Sequence, residues 1–377
     1  MGETVKKKIL IVCCNNLDRG GIQSVIMNSV RALHHLYTFD IITFDNNETY
    51  YDKEFESYGG KIFRCGALNG KRSFHKKLDF YIRGPYLYAW AKRVIKNSGP
   101  YAAIHCHNMY ESACFLAAAK KYGVPVRIVH AHTAFKNNYG NFVACLYKKL
   151  LKKYMYKYGN VFAGCSTTAN KISYQDKNAI VLPNMLNGEL YEHGDFKNLD
   201  ADSPKLLQIG LYCDNKNQLF TLDVFKYIAK EYPGAKLTYV GRAPTSDLEA
   251  YFNKLKQAAQ ELPKGSVEFL EADTDLFAAY SNAHYLIFPS LAEGFGIVAV
   301  EAQSMGLRCF VSDAVPQDVN CGGCTFLPLK LGAKEWAQKI IEDFALTKGK
   351  KEKYDCRRFS QNAVANKYID LYEGRLM

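Results

Sequence analysis

No stretch of this 377-residue chain approaches the ~20 consecutive apolar residues that a membrane-spanning helix requires, so no spanning segment is expected. The opening Lys6-Lys7-Lys8 followed by Ile9 to Cys14 has the polarity of a secretory leader, but its apolar run is too short for one. It reads instead as a first parallel strand. Met1-Gly2 lacks a myristoylation context, because Lys6 stands where Ser or Thr is needed. The chain has neither a GxGxxG fingerprint nor a Walker loop, which argues against a dehydrogenase and a P-loop nucleotidase. It carries a single CxxC, Cys321-Gly-Gly-Cys324, with no second pair to complete a zinc site. That element is expected to be a glycine turn with two incidental thiols. The other cysteines, among them Cys13, Cys14, Cys106, Cys145 and Cys213, are scattered and are expected to be reduced cytoplasmic thiols. Repeats, low-complexity tracts and nucleic-acid recognition motifs are absent as well.

What is present is enough apolar and aromatic material, 48% and 14%, for buried sheets. The length exceeds the ~250–300 residues at which single cores stop growing, so two domains are expected. Charge divides unevenly: residues through Met185 carry a net of +16 and the remainder −4. The basic half therefore faces something acidic: nucleic acid, an anionic membrane surface or a phosphorylated acceptor. Both halves alternate short apolar runs with helical patterns, the mark of doubly wound parallel sheets. The runs are Ile9–Cys13, Phe39–Phe44, Lys61–Arg64, Ala103–His105, Val126–Val129 and Val161–Cys165 in the first half. In the second they are Lys205–Ile209, Lys236–Val240, Val267–Leu270, Tyr285–Phe288 and Cys309–Val311. The polar stretch Asn187–Ser203 is the natural linker, and a final helix is expected over roughly Ser360–Arg375.

One segment concentrates chemistry. Phe288-Pro-Ser-Leu-Ala-Glu-Gly-Phe-Gly-Ile-Val-Ala-Val-Glu-Ala302 reads as a strand end, a glycine turn and a helix start near Gly296. Gly294 and Gly296 let the backbone come close to a ligand. The helix end then offers N–H groups and positive dipole to an anion, most naturally a phosphate. Glu293 at the turn and Glu301 a turn into the helix do not suit phosphate, but they suit sugar hydroxyls. Nucleotide plus sugar is the reading.

The segment resembles the signature of retaining glycosyltransferases of the GT-B fold, family 4 (group 1). The order of other elements agrees: Gly20-Gly21-Ile-Gln-Ser resembles that family's glycine loop, Leu182-Pro-Asn184 with Asn187-Gly188 its interdomain segment, and Lys216-Asn217 its lysine motif. The continuation Glu301-Ala-Gln-Ser-Met-Gly-Leu-Arg308 is most similar to members that build capsular or extracellular polysaccharide. The resemblance implies two Rossmann-like α/β domains facing across a cleft. Residues 1–186 would bind the acceptor, residues 187–359 the nucleotide-sugar, and helix 360–377 would cross back to the first domain. It implies that Glu301 holds the ribose, and that Glu293 with Gly294, Phe295, Gly296, Ile297 and Val298 holds the transferred sugar and its phosphates. Lys216 would neutralise the leaving diphosphate. The family's usual arginine after the strand glycine is replaced by Leu211, with Arg242 as a candidate substitute. A histidine after Val126–Val129 would touch the donor sugar, His132 first and His130 close behind. Gly20 and Gly21 would approach phosphate or acceptor.

His105/His107 and His130/His132 are two HxH pairs at strand ends, a spacing also used by zinc, although neither pair has an evident carboxylate ligand. Asp273-Thr-Asp275 resembles a metal-diphosphate motif, but it immediately precedes a helical run, so Asp273 or Thr274 is expected to cap that helix. A second DxD, Asp200-Ala-Asp202, falls in the linker. No metal and no other cofactor is expected. The run Leu146-Tyr-Lys-Lys-Leu-Leu-Lys-Lys-Tyr-Met-Tyr-Lys157 has two readings. It is a helix lying on an anionic membrane through Lys148, Lys149, Lys152, Lys153 and Lys157, or a solvated helix whose Leu146, Leu150 and Leu151 pack on the sheet. Lys71, Arg72, Lys76 and Lys77 would extend the basic face. The function expected is transfer of a sugar from a nucleotide-sugar, a UDP-sugar first, to a lipid-linked glycan, in the cytoplasm or on the inner face of the membrane. A catalytically weakened nucleotide- or glycan-binding relative and a basic nucleic-acid-binding protein are the rivals.

Overall fold

The computed structural model describes residues 5–13, 16–66, 76–132, 142–175, 178–186, 188 and 202–376. The expected linker lies almost wholly outside the described residues, as do Met1-Gly2, Cys14, Lys71, Arg72, Asn187 and Asp200. The chain divides into two compact units, Met1–Met185 with Gln361–Met377, and Leu186–Ser360.

The first unit is built on a seven-stranded sheet, β1 (Lys7–Cys13), β2 (Tyr37–Thr43), β3 (Ile62–Arg64), β4 (Ala103–Cys106), β5 (Val126–Ala131), β6 (Val161–Gly164) and β7 (Ile180–Val181). Every pairing is parallel and the spatial order is β3-β2-β1-β4-β5-β6-β7. Its helices are α1 (Gly21–Leu33), α2 (Asp52–Ser57), α3 (Lys76–Ser98), α4 (Ala113–Lys121), α5 (Phe142–Tyr158) and α6 (Thr167–Tyr174). Strands buried on both faces read as continuous apolar runs, and β1 shows why. Its Ile9, Ile11 and Cys13 enter one core, with Ile26, Met27 and Val30 of α1. Its Leu10 and Val12 enter the other, with Leu116 and Ala119 of α4. Side chains of period two thus feed two separate cores from one strand.

The second unit has six parallel strands, β8 (Lys205–Ile209), β9 (Lys236–Gly241), β10 (Val267–Glu271), β11 (Tyr285–Phe288), β12 (Arg308–Ser312) and β13 (Cys324–Leu327), in the order β10-β9-β8-β11-β12-β13. Helices α7 (Gln218–Glu231), α8 (Ser246–Ala259), α9 (Leu276–Ser281), α10 (Ile297–Ser304) and α11 (Gly332–Thr347) accompany them. The last helix, α12 (Gln361–Tyr372), belongs to the first unit, where Val364, Tyr368, Leu371 and Tyr372 join the core under α1.

The structure departs from the sequence reading in three places. β7, two residues long, and β13 carry too little pattern to be seen. β13 begins at Cys324, so that cysteine is a strand residue and not part of the turn. The cap of α9 is Asp275, not Asp273 or Thr274. Its carboxylate accepts from the N–H groups of Phe277 at 2.9 Å and Ala278 at 3.3 Å, a reach that only the residue directly before the helix has.

In the second unit Trp336 of α11 is fully buried, edge-on to Phe220 at 5.3 Å, with its indole N–H donating to the Pro328 carbonyl at 3.2 Å. Truncation there leaves a large void and an unpaired carbonyl. Trp336→Ala is expected to cost about 3–5 kcal/mol in urea unfolding; a change below 1 kcal/mol would show that α11 is not a core element.

Candidate active site

The carboxyl ends of β8, β9 and β11 in the second unit carry the residues singled out from sequence. The turn after β11 meets the helix at Gly296, whose φ of +100° only glycine adopts without strain. A Cβ there would also stand 2.9 Å from the Phe288 ring. Helix α10 therefore starts at Ile297; the Ala299 N–H donates back to the Gly296 carbonyl at 3.0 Å, and the N–H groups of Ile297 and Val298 lie ahead of any intrahelical acceptor. Phe295 does not face this space: its ring is buried edge-on against Phe359 at 5.5 Å, so only its backbone is available to a ligand.

Lys216 and Glu293 are 77 positions apart in sequence, and their side chains meet. Lys216 Nζ lies 2.6 Å from Glu293 Oε1, with both side chains largely shielded. The ammonium also lies 5.0 Å from the centre of the Phe288 ring. Three further contacts join the two loops. Asn215 donates from Nδ2 to the Ala292 carbonyl at 3.0 Å, and its own carbonyl accepts from the Leu291 N–H at 2.8 Å. Asn217, left-handed at φ +55°, donates to the Pro289 carbonyl at 3.2 Å. Gln208 of β8 fixes the carbonyl of Lys216 itself at 2.7 Å. The lysine stem runs over Gly210, where a Cβ would come within 3.3 Å of it.

Glu301 accepts a hydrogen bond of 2.8 Å from the Tyr280 hydroxyl. It keeps some exposure, yet enough protein surrounds its carboxylate that burial pushes its pKa up to about 7, partly offset by that hydrogen bond. Leu211 is 40% exposed, so the departure from the expected arginine leaves an apolar side chain at the surface. The Tyr212 N–H donates to the Arg242 carbonyl at 3.1 Å, which sets Arg242 next to that position on the neighbouring strand end. The structure thus brings Lys216, Glu293, Gly294, Gly296 and Glu301 into one region of the second unit, with Arg242 beside Leu211. Tyr280, Asn215 and Gln208 were not legible in advance. Tyr280 lies 21 positions before the carboxylate it holds, and no local spacing connects them.

The remaining candidates, Gly20, Gly21, His130 and His132, belong to the first unit. Gly20 is the extended residue before α1, and a Cβ there would strike the Gln23 amide. The two HxH pairs form one cluster. His105 Nδ1 lies 3.0 Å from the Tyr372 hydroxyl of α12, and its Nε2 lies 3.1 Å from His130 Nδ1. His107 Nδ1 lies 2.7 Å from His132 Nε2. One ring nitrogen from each of His105, His107 and His130 falls within 4.8 Å of the others, a spacing that could hold a metal ion. Four of the six ring nitrogens of these three histidines already have partners, in Tyr372, His132 and one another. His105, His107 and His130 are buried and His132 keeps some exposure. Burial holds all four neutral: the first three fall well below the usual histidine range, and His132 is pushed down to about 3.

Set beside known proteins, this architecture is the GT-B glycosyltransferase fold. Over 97% of this chain and 98% of that one, it superposes on the crystal structure of Anabaena Alr3699/HepE in complex with UDP and glucose, with a TM-score of 0.72 at 13% identity. Residues 19–187 match the family model described as Glycosyltransferase Family 4, and residues 203–343 the one described as Glycosyl transferases group 1. The chain belongs to this family of glycosyltransferases. Among curated relatives, it is 25% identical over 365 residues to the putative glycosyltransferase EpsF of Bacillus subtilis, covering 92% of this chain and 90% of the relative. It is 24% identical over 297 residues to the capsular polysaccharide biosynthesis glycosyltransferase CapH of Staphylococcus aureus, covering 76% of each.

The neutral histidines give a signed pH dependence. Their folded pKa values lie below the unfolded value of ~6.5, so their contribution is complete above that pH and is lost as pH falls through it. Stability measured by urea unfolding is expected to decline from pH 7 to pH 5, by up to about 1.4 kcal/mol per pH unit for each histidine. A flat profile over that range would contradict the burial of the cluster.

Proposed function

We propose that the second unit binds a UDP-sugar and that the enzyme transfers the sugar, with retention of configuration, to a lipid-linked glycan in capsular or extracellular polysaccharide synthesis. The observation that carries this is the Lys216–Glu293 pair beside the start of α10. It sets a cation and a sugar-hydroxyl acceptor 2.6 Å apart next to helix N–H groups suited to a phosphate. On arrival of the diphosphate, Lys216 turns from Glu293 to the growing negative charge, and the freed carboxylate accepts hydrogen bonds from the sugar. Glu301 binds the ribose hydroxyls. Arg242 supplies the second cation in place of the arginine that Leu211 replaces. Catalysis is then positioning and charge stabilisation, with the leaving phosphate taking the acceptor proton and no divalent metal or covalent intermediate needed. The HepE complex with UDP and glucose and the name of CapH support this choice of donor and pathway.

Lys216→Ala and Glu293→Ala are each expected to lower kcat about 10²- to 10³-fold for nucleotide release from a UDP-sugar with membrane extract as acceptor. Full activity in either variant would remove that residue from the reaction.

The acceptor side rests on α5. Leu151 and Met155 pack into the core, while Val143, Leu146, Leu150 and Tyr154 are 58%, 59%, 45% and 38% exposed. This corrects the reading in which all three leucines pack inward. The exposed four fall at helical spacing along one stripe, flanked by exposed Lys149, Lys153 and Lys157, with Lys148 and Lys152 more sheltered. An apolar stripe beside lysines fits an anionic phospholipid surface. No described helix is long and apolar enough to cross a membrane. Leu146→Glu with Leu150→Glu is expected to abolish cosedimentation with phosphatidylglycerol vesicles at low salt. Unchanged binding would exclude this face.

A further inference from the structure

The CxxC is not the thiol pair that the fold creates. Cys324 of β13 is the direct register partner of Cys309 of β12 in a parallel ladder, and those two thiols interact with each other. Cys321, three residues earlier, is set instead against a cysteine 35 positions away: its thiol neighbours that of Cys356, while the two S–H groups reach the carbonyls of Val319 at 3.7 Å and Val300 at 3.8 Å. Several contacts hold the two segments together around that pair. Gln303 of α10 accepts from the N–H groups of Cys321 at 2.7 Å and Gly323 at 3.0 Å, and donates to the Val319 carbonyl at 2.9 Å. From the other segment the Tyr354 ring lies against Gly323, where a Cβ would stand 2.7 Å from it. Arg358 donates to the carbonyls of Asp318 at 2.8 Å and Asn320 at 2.7 Å. Cys356 Sγ rests 3.8 Å from the carbonyl of Val300, also on α10.

The two thiols are unequal in the way that peroxide chemistry needs. Cys321 is partly exposed, and Cys356 is buried. The neighbouring Cys356 thiol and, less strongly, the Arg358 guanidinium lower the Cys321 pKa, while Cys356 is pushed up. A partly exposed thiol of lowered pKa beside a buried thiol of raised pKa is suited to be an attacking and a resolving cysteine.

We propose that Cys321 and Cys356 form a peroxide-sensitive pair that closes reversibly to a disulfide beneath the helix carrying Glu301. The Cys321 thiolate attacks one oxygen of a hydroperoxide, the O–O bond breaks, and with one proton the other oxygen leaves as water or alcohol. The product is a sulfenic acid. Cys356 sulfur then attacks the Cys321 sulfur, its proton and the hydroxide leave as water, and the S–S bond forms. Two thiols are oxidised by two electrons and one peroxide is reduced. Thiol reductants reverse the step by exchange. Val300 and Gln303 lie on the same helix as Glu301, so the bond tightens the support of that helix and weakens UDP binding; this last effect rests on the donor-site reading above.

The test uses the full chain treated with hydrogen peroxide and mapped by non-reducing peptide mass spectrometry. A Cys321–Cys356 linked peptide, lost on adding dithiothreitol, is expected. Cys356→Ser should abolish the link and leave a dimedone-reactive sulfenic acid on Cys321, whereas Cys321→Ser should leave Cys356 unmodified. A Cys321–Cys324 or Cys309–Cys324 link instead, or no link under conditions that oxidise the exposed Cys145, overturns the pair. UDP titration of the two forms separates the remaining claims. The oxidised form is expected to bind about five- to tenfold more weakly, and equal affinity removes the effect on the helix. If the reduced protein binds no UDP while the link forms, the donor-site reading falls and the thiol pair stands.

Discussion

The 2.6 Å contact between Lys216 and Glu293 is the interaction around which the second unit's site is arranged. It joins a loop leaving β8 to a loop leaving β11, strands that are neighbours in the sheet although about 80 residues apart in sequence. A bare ion pair between surface loops would contribute little, because water screens it and two long side chains lose freedom in making it. Here the loops are already fixed by Asn215, Asn217 and Gln208, so the charges meet without much further ordering. On the donor-site reading proposed above, loops ordered in advance would let the lysine and carboxylate exchange partners for an anionic ligand without rearranging.

The two units solve one problem with different materials. A parallel sheet must be covered on both faces, and each strand end then opens towards whatever the connecting loop presents. In the second unit these ends present a cation, two carboxylates and a helix start. In the first they present four imidazoles that burial keeps neutral. Among the described residues no carboxylate acts on that cluster, whereas neutral rings can pass hydrogen bonds from Tyr372 through His105 to His130.

Much of this was legible in the sequence because the informative features are local. Continuous apolar runs marked eleven of the strands, and the two glycines between Glu293 and Ile297 marked the turn where a positive φ was needed. What escaped was either too short or too distant. Strand β7 has two residues and cannot show a period. The partners of Glu301 and Cys321 lie on other elements, so only the folded chain pairs Tyr280 with one and Cys356 with the other. The helix cap was misplaced because Asp273, Thr274 and Asp275 are all competent capping residues, and the backbone of Asp275 decides among them. Helix α5 misled for another reason. Leucines at positions 146, 150 and 151 look equivalent in a list, but the 100° step between residues sends Leu150 outward and Leu151 inward.

The placement of α12 bears on how the protein is made. Val364, Tyr368, Leu371 and Tyr372 fill the same core as β1 and α1, and the Tyr372 hydroxyl meets His105. A ribosome has synthesised the whole of the second unit before these residues emerge. Until then one face of the first sheet has only part of its cover, from α1, even though all seven of its strands have long been available. The unit that begins first in sequence is therefore completed only after the second has been synthesised, and its maturation waits on α12.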